Sequence, residues 1–142
     1  MKEIIPIGCD HAAFELKEKI KIWLTEAGYE AADQGCYGPE SVNYPEFGKK
    51  VAKMVEENQG MRGILICGTG IGMSITANRF KGVRGTLVHD ESTARMSREH
   101  NDSNLLVLGA RVVDEALAKK IVTIWLNTPF EGGRHQTRLN LI

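Results

Sequence analysis

The sequence has no surplus of charge: 18 basic residues are matched by 18 acidic ones along 142 positions. A neutral chain lacks the bulk field that holds a nucleic-acid backbone or an anionic membrane, so neither partner is expected, although a local basic site remains compatible. Long apolar runs are also missing, and none approaches the ~18 residues of a membrane-spanning helix. Met1-Lys2-Glu3 leads into a short apolar stretch broken by Pro6, which does not read as a secretory leader. Cysteine is scarce. Cys9, Cys36 and Cys67 are odd in number and show no paired spacing, so no disulfide framework is expected. There is no Cys-x2-Cys pair and no His-Glu-x-x-His, hence no metal signature. Repeats, low-complexity tracts and linkers are absent. The reading is a single soluble domain over residues 1–142 in a reducing, cytoplasmic setting. A chain of this length buries roughly 68–70% of its unfolded surface, enough for a core without staples.

What is present is an alternation of short β-rich runs with longer amphipathic ones. Strands are expected at Ile4-Ile5-Pro6-Ile7-Gly8, at residues 29–32, at Gly63-Ile64-Leu65-Ile66-Cys67, at 83–89 and at Leu105-Leu106-Val107-Leu108-Gly109. Pro6 sits awkwardly in the first, since it has no N–H to donate to a ladder. Leu16, Ile20, Trp23, Leu24 and Ala27 fall at helical spacing, with Gly28 as the stop. Phe47, Val51, Met54 and Val55 mark a second helix, with Pro45 tolerated in its first turn. Further helices are expected from the glycine-rich loop to about Arg79, over 91–99, and through Leu117, Ile121, Ile124 and Trp125; residues 35–43 read as a loop. Strands alternating with helices imply right-handed βαβ units, a parallel sheet and helices on both faces. Ligands of such sheets sit beyond the carboxyl ends of the strands.

Several motifs lie where chemistry belongs in that arrangement. Gly68-Thr69-Gly70-Ile71-Gly72 follows the clearest strand. Alternate glycines let backbone N–H groups converge on an anion; the same residues also make a tight strand-to-helix turn with no ligand. The Lys-Ser/Thr of a Walker loop is missing, and the glycine spacing is not G-x-G-x-x-G. Cys67 reads either as a buried apolar residue or as a thiolate acting as base or nucleophile at a helix start. A Cys-x5-Arg phosphatase loop would need arginine at position 73, which is Met73. Asp10-His11 suits hydroxyl binding or proton shuttling, and Asp10 also suits a helix cap. Glu99-His100-Asn101-Asp102 is either a turn or part of a site. Arg134 and Arg138 share a face if their segment is helical; they suit a phosphate or form a solvated basic end.

In order and spacing, Gly8-Cys9-Asp10-His11, Tyr44-Pro45, Ile66-Cys67-Gly68-Thr69-Gly70-Ile71-Gly72, Ala77-Asn78, Ser97-Arg98-Glu99-His100-Asn101-Asp102, Gly109-Ala110-Arg111-Val112-Val113 and Glu131-Gly132-Gly133-Arg134-His135-Gln136-Thr137-Arg138 resemble the type B ribose-5-phosphate isomerases. The wider family also acts on galactose 6-phosphate and allose 6-phosphate. The resemblance implies a Rossmann-like three-layer α/β/α sandwich with a five-stranded parallel sheet. It implies a sugar phosphate as substrate, no cofactor, no metal, and a homodimer, paired into a tetramer in some members, whose active sites are built from both subunits. The implied reaction is aldose–ketose isomerisation of D-ribose 5-phosphate and D-ribulose 5-phosphate through an enediolate. Cys67 corresponds to the base, as opposed to members with a glutamate at the position of Met73. His100 corresponds to the ring-opening acid/base; Thr69, in the loop beside Cys67, suits orienting the transferring proton or a sugar hydroxyl. Asp10 and His11 correspond to substrate contacts, and Arg134 and Arg138 to phosphate contacts; in the reaction so implied, backbone N–H groups of Gly68, Gly70, Ile71 and Gly72 can face the enediolate oxygen as an oxyanion hole does. Asn101 and Arg111 are expected to reach across from the partner subunit. The chain departs from the family in Pro6, in Ala12-Ala13 where glycines are common, and in reaching Ile142 with a shorter C-terminal helix. A six-carbon sugar phosphate, or a sensor that binds without catalysis, are the alternative readings; Cys36 and His89 are given packing or surface roles.

Overall fold

The computed structural model describes residues 1–142. Five strands, β1 (Ile4–Cys9), β2 (Glu30–Asp33), β3 (Gly63–Cys67), β4 (Gly85–Leu87) and β5 (Leu105–Gly109), form one parallel sheet in the order β2-β1-β3-β5-β4. Helices α1 (Phe14–Glu26), α2 (Tyr44–Glu57), α3 (Ile71–Ala77), α4 (Glu91–Glu99), α5 (Glu115–Asn127) and α6 (Arg134–Leu139) complete the chain, with one turn of 3-10 helix at His11–Ala13. Right-handed crossovers fix the layers. Moving from β1 to the edge at β2 puts α1 on one face, and the reversal to β3 puts α2 on the other. Accordingly α2 packs with α3, while α1 and α4 both pack with α5. This is the expected three-layer sandwich.

Every residue of β3 and β5 is buried, because helices cover both faces of these central strands. Pro6 costs the sheet no ladder bond. Asp10 N–H donates to Ile66 O, so even-numbered residues of β1 face β3; two steps back, the Pro6 nitrogen faces residue 62, before β3 begins. β4 is shorter than the expected 83–89, for it pairs with β5 alone and Arg84 N–H is taken by the Asn104 side chain. α3 ends at Ala77 and not near Arg79. There Asn78 caps it and turns outward, donating to Ser74 O and Gly85 O and accepting from Gly85 N–H. Asp90 and Asp114 cap α4 and α5 by accepting from Thr93 N–H at 2.7 Å and Leu117 N–H at 2.8 Å. The Thr93 bonds also hold the Asp90 carboxyl below the usual carboxylate range.

One charged side chain, Lys17, is fully buried. It lies 2.6 Å from Asp33 Oδ1, and it also donates to Cys36 O. Burial pushes the Asp33 carboxyl up, but hydrogen bonds from Lys17, Lys21 and Gly35 outweigh that and hold it low. These bonds pin the loop after β2 against β1. Cys36, buried, packs its sulfur 3.8 Å from that of Cys9. Burial raises the Cys9 thiol far above its ordinary value, with the Cys36 sulfur adding to the effect. Lys17→Met is expected to destabilise the fold by roughly 1.5–3 kcal/mol, the range for hydrogen bonds to charged groups. The full ~3–5 kcal/mol of a broken buried pair is not expected, because Asp33 keeps Lys21. Denaturant unfolding of the two proteins measures the difference.

Candidate active site

The chain reverses direction between β1 and β3, and such a switch point leaves a crevice at the carboxyl ends of the two strands. Asp10 and His11 leave β1 there. Asp10 is buried, and its carboxylate accepts from Ala13 N–H at 3.2 Å, so it caps the short helix and stays next to the crevice. His11 Nδ1 accepts from Val42 N–H at 3.1 Å. In the neutral ring this leaves the proton on Nε2, which can donate to a ligand oxygen.

Cys67 ends β3 and is 5% exposed. Its sulfur accepts from Gly70 N–H at 3.2 Å, and Thr69 Oγ1 accepts from Ile71 N–H at 3.2 Å. Two of the expected oxyanion donors, Gly70 and Ile71, are therefore committed inside the loop. The N–H groups of Gly68 and Thr69 have no protein partner. The loop can take this shape for two reasons. Gly70 has φ 83°, in the left-handed region that glycine tolerates. Gly109, at the end of β5, lets the Thr69 carbonyl approach to where a Cβ would sit only 2.5 Å away.

The turn after β5 closes the same end of the sheet. Ala110 N–H donates to Cys67 O and Arg111 N–H to Gly68 O, each at 2.9 Å. A Cβ on Gly68 would lie 3.2 Å from Arg111 Nη1, so the guanidinium lies against that glycine. Within the chain Arg111 therefore stands beside the loop that follows Cys67. Met73, fully buried, packs into the core and brings no carboxylate to the loop.

The other expected residues lie at the opposite end of the sheet. α4 runs antiparallel to the strands, so His100, its C-cap, lies where β4 and β5 begin. Asp102 there pairs with Arg84, just before β4, and with Arg98. Glu131 N–H donates to Glu99 O, which brings α6 to the same place. Arg134 and Arg138, both exposed, share a face of α6, as their spacing required. Asn101, next to His100 in sequence, is exposed. The five residues of β5 alone separate the two ends by about 13 Å. Within one chain, Cys67 and His100 cannot touch the same sugar carbons.

Sequence reasoning missed three contributors. Val42 orients His11 through a backbone group, which leaves no trace in side-chain identity. His135 stacks on His100 with ring centroids 4.3 Å apart, and Glu131 faces both rings. The Glu131–His135 spacing of four was the available signal. A cavity of about 490 Å³ lies under the strand starts among Arg62, Arg84 and Arg98, away from Cys67. Its arginines are already paired with Glu3 and Asp102 or with carbonyls. His89 is exposed, a surface position as expected.

No helix is long and apolar enough to cross a membrane. The sequence model of the Ribose/Galactose Isomerase family matches residues 5–142. The chain is 46% identical over 138 residues to the ribose-5-phosphate isomerase B of Escherichia coli, covering 97% of this chain and 93% of that protein. The fold is similar to that of Clostridium thermocellum ribose-5-phosphate isomerase B, with a TM-score of 0.95 and 51% identity over 97% of this chain and 93% of that one. It is equally similar to the Mycoplasma genitalium ribose-5-phosphate isomerase B with bound ribulose-5-phosphate, with a TM-score of 0.95 and 40% identity over 99% of this chain and 94% of that one. With the matched residues spanning nearly the whole chain and the architecture shared, the protein belongs to the ribose/galactose isomerase family.

Proposed function

We propose that the chain is an aldose–ketose isomerase acting on ribose 5-phosphate and ribulose 5-phosphate, working in reducing cytoplasm as a homodimer. The observation that carries the chemistry is the sulfur of Cys67, held at the lip of an amide-lined turn. The relatives named above support the substrate. The separation of Cys67 from His100 by the length of the sheet supports the dimer, in which the Cys67 end of one subunit faces the His100 end of the other.

In that site His100 moves a proton between the ring oxygen and the anomeric hydroxyl, and Asp10 and His11 hold hydroxyls. The Cys67 thiolate then takes the proton alpha to the opened carbonyl and returns it to the neighbouring carbon. Negative charge passes to oxygen in the enediolate, where the N–H groups of Gly68 and Thr69 receive it; one such donor typically contributes ~2.7–4 kcal/mol to the transition state. Thr69 Oγ1 stands at the mouth to orient a hydroxyl. Arg134, Arg138 and Asn101 come from the facing subunit, and Arg111 comes with Cys67. The remote phosphate fixes the sugar so that its binding energy positions the reacting carbons.

The purified protein is expected to convert ribose 5-phosphate to ketose, with five-carbon phosphates turned over faster than allose 6-phosphate. Arg138→Ala is expected to raise KM for the phosphorylated sugar by about 10-fold or more, the loss of a charge-assisted pair, with a smaller change in kcat. Absence of ketose, with sugar phosphate still bound, selects the sensor reading. An unchanged KM removes Arg138 from the phosphate site.

A further inference from the structure

Three side chains capable of ligating a metal converge where α4 ends and α6 begins. Glu131 Oε1 lies 3.4 Å from His135 Nε2 and 3.9 Å from His100 Nε2. One ligating atom from each of the three falls within 4.8 Å of the others. The two imidazoles are stacked, with planes 15° apart, and both turn Nε2 toward the same carboxylate. Backbone bonds assemble the cluster. His100 N–H donates to Met96 O at 2.9 Å, Glu131 N–H to Glu99 O at 3.1 Å, and His135 N–H to Gly132 O at 3.1 Å. His135 is 7% exposed and so held in place, whereas Glu131 is exposed and His100 half-buried.

We propose that His100, Glu131 and His135 form a site for a borderline divalent transition-metal ion, Zn²⁺ foremost, and that the ion inhibits the enzyme by occupying the nitrogen used in ring opening. The inhibition rests on the isomerase reading above; the binding does not. Ligand bonds of about 2.0–2.2 Å in tetrahedral array place neighbouring ligand atoms about 3.4 Å apart. The Glu131–His135 pair has that spacing already. His100 must close on Glu131 by about half an ångström and on His135 by up to about 1.4 Å, turning its ring out of the stack so that both Nε2 lone pairs converge, which a half-buried side chain at a helix end allows. Two imidazoles and one carboxylate suit Zn²⁺, Ni²⁺ or Cu²⁺, whereas Mg²⁺ and Ca²⁺ prefer all-oxygen sets. Three protein ligands leave one position for water or a sugar hydroxyl, on the same helix as Arg134 and Arg138, the proposed phosphate contacts.

The test uses the full chain after removal of metal by a chelator. Calorimetric titration with Zn²⁺ is expected to give one ion per chain, and Co²⁺ is expected to give the visible bands of a four- or five-coordinate site. Zn²⁺ is expected to suppress turnover of ribose 5-phosphate in step with occupancy, and a chelator to restore it. Glu131→Gln and His135→Gln are each expected to weaken Zn²⁺ binding by at least ~10-fold, since even outer-shell partners cost that much. Cys67→Ala keeps the cluster and is expected to bind Zn²⁺ like the parent protein. Inhibition undiminished in Glu131→Gln, or binding lost in Cys67→Ala, would place the ion on the thiol and overturn the site. An active enzyme that binds no Zn²⁺ also refutes the site and spares the isomerase reading. Zn²⁺ binding by a chain that forms no ketose when metal-free refutes the isomerase and the inhibition, and leaves the binding site standing.

Discussion

Cys67→Ala is expected to lower kcat for ribose 5-phosphate by at least about 10³-fold, within the range set by loss of a positioned base, while the sugar phosphate still binds. Nothing else at that end of the sheet can take over. Asp10 is engaged as a helix cap, His11 accepts from Val42 N–H at Nδ1 and so offers only an N–H at Nε2, Met73 is buried and carries no acid–base group, and Thr69 is a hydroxyl with no base beside it. The phosphate contacts are distant from the sulfur and unaffected by its removal. The variant loses one buried atom at the end of a strand that is paired on both sides, so the fold is retained. Steady-state turnover, together with calorimetric binding of ribulose 5-phosphate, separates the two effects. Turnover near that of the parent protein would show that the proton is taken by another group.

The second large effect concerns pairs of chains. Cys67→Ala and the double variant His100→Asn/Arg138→Ala are each expected to be nearly inactive, and co-refolding them is expected to restore activity. In a mixed dimer one site joins the intact Cys67 end of one chain to the intact His100 end of the other, while the second site carries every defect. Random pairing of equal amounts then leaves about one quarter of sites intact in a symmetric two-chain assembly. The recovery is a rise of about 100-fold or more over either parent. The reason lies in the topology: β5 stands between the two ends, and no side chain spans its ~13 Å. If the mixture stays as inactive as its components, each site is built within one chain and the proposed division of labour is wrong.

The proposed chemistry and the proposed metal site meet at His100. The imidazole proposed to exchange a proton with the sugar ring is the one whose Nε2 lies 3.9 Å from Glu131 Oε1. A group poised to bind and release protons is also a good metal ligand, since both uses need an accessible imidazole lone pair.

Much of this molecule could be read directly from residue order. The five-residue runs Gly63–Cys67 and Leu105–Gly109 became strands with those bounds, because continuous aliphatic stretches flanked by glycine suit strands covered on both faces. The parallel sandwich followed from strands alternating with helices, and the place of Cys67 followed from its position at a strand end. Local patterns are short-range, and short-range facts survive folding when the pattern is strong. What tertiary structure alone decided is which motifs meet. The sheet order put Arg111 against Gly68 of the same chain. The direction of α4 sent His100 to the far end, and backbone groups of Val42 and Glu99 set His11 and Glu131 in place. Those outcomes depend on strand order, helix direction and main-chain hydrogen bonds between distant segments, none of which a side-chain sequence encodes locally.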